Sequence, residues 1–364
     1  MALLGLSLAP ACSSSAEKSP ASSAGKAASE QPGASDSAPA KSPEATPPTA
    51  APDTGAPVVL KPGTGPLHTG ALPAEATMVA HVDLAALEKT PLWTENRALM
   101  EREAATKRAL DAMRRCELPL AGLTALDIGV DPGSDRLAVI IAGAGVGERE
   151  KLECVHRELP DQLGSGTWHF EQDESGRERL RIDDQPSLIG VLADKDTLVL
   201  ASEPWAPGIA DALTRDSGQE GRATAGPLRS ALTRLDSARH IWFAGVLPPD
   251  ALKALQEQGI DGIADVAGSL DLADGLAIEL SARAENKEQA TTMLTRARTQ
   301  LDNVRPLAKL TGVPERVIDS VQISEAKGAA AAILLRAALT MEDIREVRAA
   351  LNKQAPPGPP PTGN

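Results

Sequence analysis

Tyrosine is absent from this chain of 364 residues, and two Phe and four Trp are its only other aromatic residues. So few rings leave no stacking platform for sugars or single-stranded bases. Basic residues are in deficit as well, with 37 Lys and Arg against 50 Asp and Glu for a formal charge of -13. Nucleic acid is excluded as a partner on that ground, because phosphate binding rests on a basic surface and counterion release. Past residue 12 no run approaches the ~18 apolar residues that a membrane span needs. No GxSxG elbow, HExxH, CxxC or P-loop occurs in the sequence. The familiar settings of a catalytic nucleophile, a zinc ion or a phosphate are therefore missing, and no cofactor or metal is expected. What is present is a core-forming composition, 42% hydrophobic, and length enough for two domains of ordinary size.

Residues 1–12 read MALLGLSLAPAC, an apolar stretch that ends in small residues and Cys12 and is followed by Ser13, Ser14 and Ser15. This resembles the end of a bacterial lipoprotein signal segment, in which the Cys receives the lipid. It departs from the usual pattern in two ways: Leu8 stands four places before Cys12, and no Lys or Arg precedes Lys18. A start codon upstream of the one used would supply the missing basic residues. From Ser13 to Pro66, Ala, Ser, Pro, Gly and Thr make up 41 of 54 residues. Such a stretch cannot bury enough surface to offset its ordering entropy, so residues 13–70 are predicted to be a disordered tether reaching roughly 40 Å. Residues 354–364 read as a second disordered, Pro-rich tail.

Between these lie alternating strands and helices. In MVAHVDL, Met78, Ala80, Val82 and Leu84 face one way and Val79, His81 and Asp83 the other, which predicts a half-buried strand. A helix to about Arg115, the hairpin LDIGVD/LAVIIAG, a helix over Glu148–Leu159, the hairpin SLIGVLA/TLVLASE and a helix capped by Ser202 follow. The second half repeats the order from HIWFAGVL, through the hairpin over residues 268–284, a long helix from Lys287 to Leu310 and a second hairpin, to a helix capped by Thr340 and Asp343. The first half carries an extra hairpin at 167–183. The expected fold class is α+β, with two tandem modules at 72–216 and 227–353, each an antiparallel sheet with helices packed on one face, joined by a Gly-rich linker at 217–226.

This order, with the opening ALPAEATMVAHVDLAALEKTPLW, the pair Cys116 and Cys154 and the closing LLRAALTMEDI, resembles predicted lipoproteins of myxobacterial type. The resemblance implies an envelope location and brings no activity with it.

With Cys12 assigned to the lipid, Cys116 and Cys154 are left as an even pair in an exported domain and are expected to form a disulfide. Gly143, Gly145 and Gly147 sit between a strand and a helix as in a dinucleotide fingerprint. The third glycine falls one place early, however, and Glu148 and Glu150 put negative charge where a phosphate would sit, so a tight turn is the better reading. His169, Glu171 and Asp173 share a strand face within a charged hairpin that looks solvated, and His81 and Asp83 share another. Trp93, Trp205, Trp242 and Phe243 fall where aromatic residues anchor a core. No catalytic residue is assigned. The expected function is a lipid-anchored cell-envelope protein, in the periplasm or at the surface, that acts as a non-catalytic binding or scaffold module for an envelope protein or other macromolecule. The alternative is a periplasmic hydrolase or small-ligand enzyme with its site in the cleft between the modules.

Overall fold

The computed structural model describes residues 58–159, 166–214, 223–257, 259–310, 313–326 and 331–354. Cys12, the greater part of the expected tether and most of the Pro-rich tail lie outside the described residues. Among the described residues are twelve strands: β1 (Met78–Asp83), β2 (Leu123–Asp131), β3 (Arg136–Gly143), β4 (Trp168–Gln172), β5 (Glu178–Ile182), β6 (Leu188–Asp194), β7 (Thr197–Ser202), β8 (Ile241–Gly245), β9 (Ile263–Asp271), β10 (Gly275–Ala284), β11 (Gln322–Glu325) and β12 (Ala332–Thr340). The helices are α1 (Leu84–Leu87), α2 (Pro91–Met100), α3 (Ala104–Arg115), α4 (Arg149–Glu158), α5 (Ala206–Thr214), α6 (Arg229–Leu232), α7 (Pro249–Glu257), α8 (Lys287–Leu310), α9 (Glu315–Asp319) and α10 (Met341–Gln354).

The class is α+β, and every strand pairing is antiparallel. All strands join in one sheet of order β11-β12-β10-β9-β8-β1-β2-β3-β7-β6-β5-β4. Outward from the β1–β8 ladder, one side runs β1, β2, β3, β7, β6 and the other β8, β9, β10, β12, β11, so the repeat seen in the sequence is a repeat of topology. The equivalent strands β2 and β9 are both nine residues long. The two halves do not carry separate sheets, because β1 pairs with β8 over five positions, from Met78 opposite Gly245 to Val82 opposite Ile241. Beyond the repeat, β4 and β5 form the extra hairpin at the far edge.

Two boundaries differ from those read in the sequence. Residues 58–70 are not tether: Leu60 and Leu67 are buried in the main core, and Val58 donates its backbone N–H to Thr224. Lys61 N–H donates to the hydroxyl of Ser237, 176 residues away. Partners so distant in sequence cannot be read from local composition. Likewise Ala223–Ala225, at the end of the expected linker, forms a 3-10 turn with Ala223 and Thr224 buried.

The helices of the first half also cover both faces of the sheet, where one was expected. On what we call the inner face, Trp205 and Ile209 pack with Ile140, Val199 and Ile189. On the outer face, Leu152 of α4 packs with Val139, Leu198 and Leu200. The strands β3 and β7 are apolar on both sides, and such strands demand a cover on each. Gly143, Gly145 and Gly147 form a turn: Gly145 has a left-handed φ of 76°, and a Cβ on Gly147 would lie 1.8 Å from the carbonyl oxygen of Asp194. Ser202 does not cap α5, since its hydroxyl accepts from Leu137 N–H. Thr340 and Asp343 do cap α10, with Asp343 N–H donating to the Thr340 hydroxyl and Thr340 N–H to the Asp343 carboxylate.

Candidate functional site

The centre of the sheet inverts the usual arrangement of polar and apolar side chains. Its fully buried inner face carries His81, Asp83, Asp127, Asp265 and Ser269 beside Trp242. Asp127 accepts from the hydroxyl of Thr69 at 2.5 Å, from His68 N–H at 3.1 Å and faces His81 Nδ1 at 3.0 Å. Burial lowers the pKa of His68, against the opposing charge of Asp127. Asp83 accepts from the backbone of Thr64 at 2.5 Å, Gly65 at 3.0 Å and Ala86 at 2.8 Å, stitching the 58–70 segment and α1 to the sheet. Asp265 receives Arg234 and, at 2.6 Å, Arg283. These groups satisfy one another across segments far apart in sequence.

A His–Asp pair is the arrangement of a general base and its orienter, and His81 Nε2 has no hydrogen-bond partner among the described residues. Access decides against that role: the side chains are 1% and 0% exposed, and the ring is stacked on Trp242 with centroids 5.6 Å apart. A base must come within hydrogen-bond reach of a substrate proton, and here both groups are covered. The two halves meet in the continuous β1–β8 ladder, in which His81 stands opposite Trp242.

The other residues singled out by the sequence are dispersed. His169 Nε2 lies 2.9 Å from Asp183, with both side chains more than half exposed, and Glu171 pairs with Arg181. Asp173 closes the hairpin turn, its carboxyl held at about 2 by the Ser175 hydroxyl. The three do not converge. Cys116 and Cys154 are bonded, with Cα atoms 5.6 Å apart, and tie the end of α3 to α4. His156 is stacked on Trp168. Trp205 and Trp242 are core residues as expected, while Phe243 is not.

Phe243 belongs to the outer face. There Met78, Val82, Ile128, Val130 and Ile241 join it, and each is only half-buried although its inner-face neighbour is sealed. Leu280 on β10 is 37% exposed. Phe243 and Leu280 close over Gly268, where a Cβ would stand 2.6 Å from both side chains. None of these side chains enters a core cluster of buried residues. No side chain of α2 or α7 is fully buried. The tie between α10 and α2 is polar, with Arg345 on Glu95 and Arg348 on Asn96, and Arg345 lowers the pKa of Glu95. At its start α10 is held by Asp343, whose carboxyl is kept at about 2 by the Thr340 hydroxyl and by Arg316. The result is a half-open apolar floor at the centre of the outer face. The sequence signal for it lies in glycine: Gly245 and Gly268 interrupt apolar strands where large neighbours need room.

No protein-family model matches the chain, and no curated protein matches it. Among solved structures, crystal form III of TP0453 aligns with a TM-score of 0.42 at 8% identity, covering 78% of this chain and 97% of that chain. Crystal form I of TP0453 gives a TM-score of 0.38 at 9% identity over 79% and 98%.

Proposed function

We propose that this chain is a lipid-anchored protein of the cell envelope whose folded part, in the periplasm or at the surface, is a non-catalytic binding module. The observation that carries the reading is the outer face of the central strands, an apolar surface left half-open while the polar groups are sealed inside. Monomeric proteins rarely leave a contiguous apolar surface without a use for it. The Cys116–Cys154 bond supports export, since such bonds persist in oxidising compartments. Among the described residues no helix is long and apolar enough to cross a membrane, and attachment is assigned to Cys12. The burial of His81 and Asp127 favours binding over catalysis.

The anchor is tested with labelled palmitate in the native host. Label should enter the natural protein and fail to enter Cys12→Ser, which should move from the membrane to the soluble fraction. Unchanged membrane partitioning of Cys12→Ser would overturn the anchored reading.

A further inference from the structure

We infer that the outer face of the central strands holds acyl chains of phospholipid taken from the membrane to which the module is tethered. This rests on the reading of the chain as a tethered binding module and names its ligand. The chemistry of the floor narrows the class. Along β1, β2 and β8 the side chains on this face are Met78, Ala80, Val82, Leu126, Ile128, Val130, Ile241 and Phe243, and they offer neither a hydrogen bond nor a charge. A sugar, nucleotide or extended peptide would leave its polar groups unpaired against such a surface. A hydrocarbon chain loses nothing there and gains for each methylene removed from water.

Two features of the chain make the bilayer the source. The first is Cys12 itself: lipid on that residue would join the module, which begins at Val58, to the bilayer and keep phospholipid at high effective concentration. The second is an independent apolar stripe at the end of α8, where Val304, Leu307 and Leu310 are 47%, 60% and 83% exposed. Leucine-rich helical stripes of this kind seat in the interface between headgroups and acyl chains. Because α8 packs against β10, β11 and β12, contact at the stripe brings the sheet to the bilayer surface.

The test uses the full chain and phosphatidylglycerol vesicles containing pyrene-labelled phosphatidylcholine, with gel filtration to separate protein from vesicles. The natural chain should elute with labelled phospholipid. Ala338→Gln, a control at an exposed position of β12 on the inner side, should do the same. Phe243→Gln and Leu280→Gln should carry at least ten-fold less while melting cooperatively. Should Phe243→Gln fail to fold, Leu280→Gln decides, since its site is already exposed. Equal uptake by a folded Leu280→Gln overturns the proposal, as does co-sedimentation with vesicles without transfer, which would make α8 a surface contact only. Binding of the apolar dye bis-ANS separates the two levels. A folded chain that binds dye and takes no phospholipid overturns the lipid assignment and leaves the binding surface standing, whereas a chain that binds neither overturns both.

Discussion

Replacing Cys116 and Cys154 together by serine should destabilise the folded chain by about 4 kcal/mol, the chain-entropy value for a bond closing a separation of 38 residues. The expectation has a local basis. The helix α3 has only Ala109, Leu110 and Ala112 fully buried, and its satellite cluster consists of Ala109, Ala112 and Leu159 with partial cover from Val155 and Trp168. So small an apolar contact cannot hold a twelve-residue helix against its ordering entropy without a covalent tie. The nearby ion pair of Arg115 with Glu158 is exposed and adds little. Urea unfolding of the double variant, and of the natural chain with and without reducing agent, measures the effect. A loss below about 1 kcal/mol would show that α3 is held by packing.

A second large effect is expected at Asp265, which is 1% exposed and takes Arg234 and Arg283 together. The side chain of Arg234 is itself only 8% exposed. Asp265→Ala should therefore cost about 3–5 kcal/mol, chiefly because it leaves the Arg234 charge buried without its carboxylate. The double variant Asp265→Ala with Arg234→Met should recover a large part of that cost, since both charges are then gone. Additive losses in the double variant would show that the packing of α6 against β9, and not the charge pair, is what the substitution removes.

The strands and hairpins were legible in the sequence because their apolar periodicity is local. The β1 alternation, the LAVIIAG strand and the β9–β10 hairpin fall where the pattern puts them, and the Cys116–Cys154 pair followed from compartment and count. What could not be read is whatever depends on a distant partner. Val58 and Leu60 look like the tail of a Pro-rich tether until Thr224 and Ser237 are placed beside them. The inversion at the sheet centre is of the same kind. His81 and Asp83 belong on a solvated face by composition alone, and they are buried because Asp127 and the Thr64–Gly65 backbone satisfy them. Once the polar face is turned inward, the period of two forces Met78, Ala80 and Val82 to the other side. The apolar floor is thus a consequence of polar pairs that no single strand reveals.

Carbene footprinting of the native full chain tests this inversion most directly, because Trp242 and Phe243 are adjacent in sequence and lie on opposite faces of β8. The account predicts strong labelling of Phe243, Met78 and Leu280 in the folded protein, with Trp242 and Val79 protected until the chain unfolds. Equal protection of Phe243 and Trp242 would contradict it, for the outer face would then be a second closed core with no ligand to receive.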